Sequence, residues 1–478
     1  MSSAPTSEPL SCVAGQWRRG GGDEFAVSDP ARAEVVATYR GADASDAAQA
    51  LDAASQAFAG WSRQVPAERS ALLRRTAGLL RERTAQIAAL LTLEEGKPLP
   101  EARREMAVAA DALEWFAEEG RRAYGRSIPS PMAGVQIQTE LVPLGVVAAF
   151  TPWNFPVMLS AIKAAAALAA GCCVLLKPAE ETPLAVCELA RAFVDAGLPA
   201  GALQLLLGSG AELSAALLPD PRLAKISFTG STGAGRAVAE LAGRHLKPCT
   251  LELGGHAPAI VCEDADVQQA VSALAAIKFR NAGQVCANAS RFFVHESVLK
   301  PFTDAMGEVV AGLRVGPGDA EATQMGPLAN ARRQAAVAAL AEDAVGAGAR
   351  VARASGRPSG KGWFHPAMLL VDVPDHARVM REEPFGPLLP VTTFRSLDEA
   401  IARANALPVG LTAFGFTRSL ACARRLGSEL RAGSVAINTT QLMWPEAPFG
   451  GVAESGWGRE NGAEGLLEFV SARTRVVA

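Results

Sequence analysis

The chain has little of what would mark a secreted, metal-binding, membrane or nucleic-acid-binding protein. Its eight cysteines are scattered over 478 positions and form neither a disulfide framework nor a paired C-x-x-C site. The five histidines stand apart from one another, so no zinc site is expected. A net charge of −3 gives no electrostatic case for nucleic acid or an anionic membrane. The longest uncharged apolar run, Ala164 to Leu176, is 13 residues and is interrupted by Gly171, too short to span a bilayer. Met1 to Pro9 is polar, with no apolar stretch behind a basic start. No signal peptide is expected, and a reducing cytoplasm is the expected compartment.

What is present describes an ordinary globular chain, 49% hydrophobic and 20% charged. At 478 residues it exceeds the size at which one core keeps growing, so two domains or more are expected. Residues 1–40 are expected to be an irregular entry with one or two short strands. Ser45 or Asp43 can cap a helix through Ala47–Trp61. After Pro66, Leu72, Leu79, Leu80, Ile87, Leu90 and Leu91 recur at helical spacing until Gly96-Lys97-Pro98 stops the pattern, and Glu101 to Glu119 resumes it. Residues 134–142 change period: Val135, Ile137, Thr139 and Leu141 alternate with polar residues, as in a half-buried strand of a protruding hairpin.

Then Val146–Phe150, Cys173–Leu176, Leu203–Leu207 and Lys225–Phe228 are short apolar runs without alternation, separated by helical patterns. Buried parallel strands look like this and imply a doubly wound α/β domain. The residues that follow them, Thr151-Pro152-Trp153-Asn154, Lys177-Pro178-Ala179-Glu180, Gly208-Ser209-Gly210 and Thr229-Gly230-Ser231, are polar or glycine-rich, as a nucleotide crevice requires. A second α/β pattern begins near Gly254, with strands at Ala259–Cys262, Arg291–His295, Leu388–Phe394 and Ser434–Asn438 and a helix at Asp266–Phe279. The segment Asp343 to Gly362 is expected to be a surface helix and loop. Cys286 ends a polar, glycine-bearing turn, Phe279-Arg280-Asn281-Ala282-Gly283-Gln284-Val285, and falls 34 residues after Glu252.

Seven pieces stand in order: Thr151-Pro152-Trp153-Asn154-Phe155-Pro156, Lys177-Pro178-Ala179-Glu180, Phe228-Thr229-Gly230-Ser231, Glu252-Leu253-Gly254-Gly255, Gly283-Gln284-Val285-Cys286, Glu382-Glu383-Pro384-Phe385-Gly386-Pro387 and Pro448-Phe449-Gly450-Gly451. Together they resemble the aldehyde dehydrogenase superfamily from about residue 25 to the C-terminus, nearest the succinate-semialdehyde dehydrogenase-like branch. The resemblance implies a Rossmann-like cofactor domain (1–123 and 144–253), an α/β catalytic domain (254–454) and a small β oligomerisation segment (124–143 and 455–478). It also implies a homodimer or homotetramer, paired through the 134–142 strand and the run Arg473–Val477.

The chemistry follows from what aldehyde oxidation needs. A thiolate attacks the carbonyl readily and later leaves from a thioester, and Cys286 matches that nucleophile. The resemblance implies Asn154 and the Cys286 backbone N–H as oxyanion donors, and Glu252 as the base that activates water. Lys163 and Glu460 fall where the family keeps a supporting ion pair. No usable G-x-G-x-x-G is present; Gly230 to Gly235 opens a helix instead, so Ser231 and that helix N-terminus are expected to take a pyrophosphate. The resemblance implies that Lys177 and Glu180 reach the adenine ribose, Glu383 the nicotinamide ribose and Phe385 the nicotinamide, with Thr151, Pro152, Trp153, Gly230 and Gly254 completing the wall. A carboxylate at Glu180 favours NAD over NADP, because it bonds a free 2′-hydroxyl and repels a 2′-phosphate.

Arg280 matches one of two arginines that bind a substrate carboxylate in that branch. The second should sit eight residues after Asn154, where this chain has Ile162, and Met443-Trp444 replaces a hydroxyl-bearing pocket residue. Phe155, Leu159, Ile162, Met443, Trp444 and Phe449 therefore suggest an apolar, partly aromatic funnel for an aromatic or larger apolar aldehyde. Succinate semialdehyde is the alternative substrate. A coenzyme-A-acylating enzyme would lack Glu252, and a non-catalytic homologue would have lost Cys286, Asn154 or Glu252.

Overall fold

The uninterrupted apolar runs form the centre of an eight-stranded sheet. A computed structural model describes residues 8–478; residues 1–7, most of the polar start, lie outside the described residues. The strand order is Gln16–Arg18, Ser11–Val13, Leu203–Leu205, Cys173–Lys177, Val146–Phe150, Leu223–Thr229, Cys249–Glu252 and Gly456–Trp457. The five central strands are parallel; Ser11–Val13 and Gly456–Trp457 pair antiparallel with them, and Gln16–Arg18 pairs antiparallel with Ser11–Val13. The chain enters at Val146–Phe150, steps outward to Leu203–Leu205, then returns to the other side at Leu223–Thr229. That reversal is a topological switch point, and a crevice opens there beyond Phe150 and Thr229.

A seven-stranded sheet follows, in the order Arg350–Ala354, Met368–Val371, Leu388–Phe394, Ala289–His295, Ala257–Val261, Thr412–Phe416 and Ser434–Ile437. All its pairings are parallel except that of Arg350–Ala354. Each sheet is covered by its own buried apolar cluster. The segments that feed the amino ends of the second sheet are Gly254-Gly255, Gln284 to Cys286 and Glu383 to Gly386. They meet the loops leaving the carboxyl ends of the first sheet, and the two sets enclose one cavity.

The alternating stretch near 134–142 is the strand Gln136–Pro143, the middle of a three-stranded sheet between Arg126–Ile128 and the C-terminal strand Val470–Val477. Among the described residues, no helix is long and apolar enough to cross a membrane.

Other expectations need correction. Residues 11–40 hold four short strands rather than one or two. The helix after Pro66 divides at Arg83 into Pro66–Glu82 and Thr84–Glu95, and Gly96 ends the second with a left-handed φ of +93°. The segment expected to be helix and loop contains the strand Arg350–Ala354, whose mostly exposed residues gain ladder bonds from Met368–Val371 despite weak local β-propensity. Asp43, not Ser45, caps the first helix through a reciprocal bond with Asp46.

Candidate active site

The thiol loop is built by an unusual backbone. The helix Val267–Lys278 gives way to a tight 3₁₀ turn in which Asn281, Ala282 and Gly283 all adopt left-handed φ values of 48°, 53° and 78°. For asparagine and alanine this conformation costs on the order of 1 kcal/mol each, so surrounding contacts must impose it. They do: the Asn281 N–H donates to Glu101 Oε2 at 2.8 Å, its Nδ2 to the Asn154 carbonyl at 3.0 Å, and Asn288 Nδ2 to the Gly283 carbonyl at 3.1 Å. Gly283 is required sterically, since a Cβ there would lie 2.3 Å from the Gly386 carbonyl oxygen.

Cys286 emerges half-buried into a cavity of about 900 Å³ that Asn154 and Glu252 also line. Asn154, from the loop after Val146–Phe150, donates one Nδ2 hydrogen to the Gln284 carbonyl at 2.9 Å and keeps a second for the cavity. Burial pushes the Cys286 thiol up to about 12, with the Glu383 and Glu252 carboxylates adding to the shift. Glu252 closes the strand Cys249–Glu252, and neither of its buried oxygens accepts a protein hydrogen bond. Burial first, and the neighbouring Glu460 second, hold its carboxyl well above the usual range. A buried carboxylate with unfilled acceptor sites, opening on the cavity that holds the thiol, is suited to bind and deprotonate a water.

Behind Glu252, Lys163 Nζ pairs with Glu460 Oε1 and donates to Ser227 Oγ at 3.0 Å. Glu460 lines the cavity; Lys163 does not, and borders a separate small void with Ser227 and Thr250.

At the other end of the cavity, Lys177 Nζ and the Gly210 N–H both donate to Glu180 Oε1 at 2.8 Å. Burial pushes Glu180 up, but Lys177 and the Gly210 amide bring it net below its ordinary value, so it is a fixed anion. Ser231 caps the helix Thr232–Arg244, accepting from the Ala234 N–H at 3.3 Å, which leaves its hydroxyl hydrogen free to donate. Trp153 and Phe385 meet edge-to-face at 5.5 Å, beside Glu383, whose carboxyl burial raises to about 8. Thr151, Pro152, Gly230 and Gly254 complete this wall. The residues fit a dinucleotide: an anion for ribose hydroxyls, a helix N-terminus for phosphates, and an aromatic pair with a carboxylate near the thiol. Replacing Glu180 by serine is expected to shift the ratio of kcat/KM for NAD over NADP toward NADP by about tenfold or more, roughly 1.4 kcal/mol. An unchanged ratio would remove Glu180 from the discrimination.

Phe155, Leu159, Arg280, Met443 and Phe449 line the thiol end. Two expected pocket residues do not reach it. Ile162 is 2% exposed, on a wholly buried helix, and its side chain borders the void beside Lys163. Trp444 is 51% exposed and does not line the cavity, although its neighbour Met443 does. The funnel is therefore narrower in membership than the sequence implied.

Arg333 lines the cavity and was not anticipated; its Nε is buried without a partner. The available signal was Arg332-Arg333 in the first turn of the helix Ala331–Gly346, where the macrodipole disfavours cations.

The family model described as "Aldehyde dehydrogenase family" matches residues 17–475. A 4-(hydroxymethyl)benzenesulfonate dehydrogenase of Comamonas testosteroni is 49% identical over 467 residues, covering 97% of each chain. The crystal structure of a succinate-semialdehyde dehydrogenase from Burkholderia pseudomallei superposes with a TM-score of 0.97 at 38% identity, covering 100% of this chain and 99% of that one. That of a betaine aldehyde dehydrogenase from Staphylococcus aureus, in complex with NAD+, gives 0.95 at 30% identity, covering 98% and 95%.

Proposed function

The chain belongs to the aldehyde dehydrogenase family, an oxidoreductase family, and from that premise we propose that it oxidises an aromatic aldehyde carrying a remote anionic group to the carboxylate. The observation that carries the substrate class is Arg280. Its guanidinium lines the cavity, forms no ion pair or hydrogen bond among the described residues, and stacks over the Phe155 ring at 4.8 Å. A partly buried cation that feels the Glu101 carboxylate without forming an ion pair with it, among Phe155, Leu159, Met443 and Phe449, suits a flat apolar body with a charged far end. The relative named for a benzenesulfonate substrate supports the same choice.

The chemistry follows from the side chains. Cys286 Sγ gives up its proton and attacks the carbonyl carbon, and the resulting oxyanion takes hydrogen bonds from Asn154 Nδ2 and the Cys286 N–H. NAD, or NADP, supplies a hydride acceptor when bound, so that the thiohemiacetal carbon is oxidised to a thioester. Glu252 takes a proton from water as the hydroxyl adds to that thioester, and Cys286 leaves as thiolate. Next to Glu252, Lys163 favours loss of its proton and, by pairing with Glu460, offsets the opposing effect of that carboxylate. Lys177, Glu180, Ser231, Glu383 and Phe385 hold the cofactor, with NAD preferred. The enzyme works in the cytoplasm as a homo-oligomer, in which Gln136–Pro143 and Val470–Val477 pair subunits; the three-part division at 123, 143, 253 and 454 belongs to the same proposal.

The test compares kcat/KM for 4-formylbenzenesulfonate, benzaldehyde and succinate semialdehyde. The sulfonate is expected to exceed benzaldehyde by about tenfold or more, close to the 1.5–3 kcal/mol of a charge-assisted bond, and Arg280→Met should erase that margin. A clear preference for succinate semialdehyde would overturn the aromatic assignment.

A further inference from the structure

The helix Pro156–Ala170 begins right after Asn154 and Phe155, and it has no side-chain cap of its own. Its first amides are satisfied from a distant helix: Glu105 Oε1 accepts from the Val157 N–H at 3.0 Å and the Met158 N–H at 3.2 Å. The other oxygen of Glu105 accepts from Lys97 Nζ at 2.5 Å, and Lys97 Nζ also donates to the Asn154 carbonyl at 2.7 Å. Lys97 is 1% exposed and Glu105 0%. The same ammonium lies 4.3 Å from the centre of the Phe155 ring, which Arg280 covers at 4.8 Å. Glu95 lies 3.9 Å from the ammonium, and burial holds its carboxyl up to about 8.

A fully buried ion pair is a poor way to stabilise a core, since well-packed apolar residues do as well or better. Here the bonds the pair makes beyond itself fall on one short stretch: Lys97 donates to the Asn154 carbonyl, and Glu105 accepts from the Val157 and Met158 amides. The Asn154 carbonyl receives two bonds, from Lys97 Nζ and from Asn281 Nδ2, so the backbone beneath the Asn154 amide is clamped between the first domain and the thiol loop. We propose that Lys97 and Glu105 are positioning residues that aim the Asn154 amide at the oxyanion and hold the Phe155 ring in the substrate wall. The inference rests on the oxyanion role proposed for Asn154.

The test is a double-mutant cycle in the full-length protein, reading the amplitude and rate of the first-turnover NADH burst, with NAD affinity measured separately by fluorescence quenching. Lys97→Met is expected to slow the burst about tenfold or more while NAD affinity stays within twofold. In an Asn154→Ala background the same substitution should add almost nothing, because the amide it aims is gone. Lys97→Met/Glu105→Gln removes both charges together and serves if the single variant fails to fold; it should show the same burst loss and the same absence of further loss on Asn154→Ala. A burst within twofold of wild type in the folded variant, or losses that multiply in the Asn154→Ala background, would overturn the proposal. A wild-type burst in Asn154→Ala alone would instead bring down the oxyanion assignment, and the positioning role with it.

Discussion

Replacing Cys286 by alanine is expected to abolish aldehyde-dependent NADH formation, a loss of about 10⁴-fold or more, while NAD affinity is retained. No other cysteine can substitute. Cys12, Cys172, Cys173, Cys187 and Cys262 are buried, and none of the eight except Cys286 lines the cavity. The thiol's own titration gives an independent check. With its value pushed up to about 12, chiefly by burial, only a minute thiolate fraction exists at pH 7 in the cofactor-free protein. Alkylation of Cys286 by iodoacetamide, followed by mass spectrometry, should be slow at neutral pH and climb about tenfold per pH unit up to pH 10. A rate that levels off near pH 7 would mean that Glu252 and Glu383 do not oppose ionisation as the geometry implies.

Glu252→Gln should separate the two halves of the reaction. Formation of the thioester needs no water, so about one equivalent of NADH per site should still appear in the first turnover. The steady rate should then fall about 10²–10⁴-fold as the acyl enzyme accumulates, visible as a mass increase on Cys286. Equal loss of burst and steady rate would assign Glu252 to thiol activation instead. The same substitution makes a prediction about stability. A carboxyl whose folded pKa lies above its ordinary value binds more protons in the native state than in the unfolded one. Stability therefore falls as pH rises from that ordinary value toward the raised one. Glu252→Gln removes this penalty. It should gain thermal stability over wild type from about pH 5 upward, and none below about pH 4, where the carboxyl is protonated in both states. Gly450 packs against this carboxylate, where a Cβ would lie 2.7 Å from Glu252 Oε1, and glutamine, isosteric with glutamate, adds no atom there.

How far the site was legible depends on how local each signal is. The buried strands Val146–Phe150 and Cys173–Lys177 announce themselves because both faces are covered and the run is apolar throughout. The strands Thr412–Phe416 and Met368–Val371 went unseen, although both are almost wholly buried. A run of four or five apolar residues cannot be told from the end of a helix by periodicity. Ile162 and Trp444 were misplaced for a related reason: spacing along the chain gives a position, and only the packed backbone decides which way a side chain points. In the sequence Lys97 belongs only to the Gly96-Lys97-Pro98 stop and Glu105 only to the helical stretch Glu101 to Glu119. Their burial comes from tertiary contact with the start of the helix Pro156–Ala170.

By itself the sequence determined the family, the order of the chemistry-bearing residues and the alternation of strands with helices, because these rest on residue type and short-range period. The tertiary structure decided which of those residues share a cavity. It also decided that Glu252 is isolated from hydrogen-bond donors, that Arg280 faces the cavity without a direct ion pair among the described residues, and that a buried ion pair grips the backbone of Asn154. These are contacts between segments far apart in the chain, Lys97 with Asn154 and Asn154 with Gln284, and their energies are set by desolvation and geometry that no local pattern encodes.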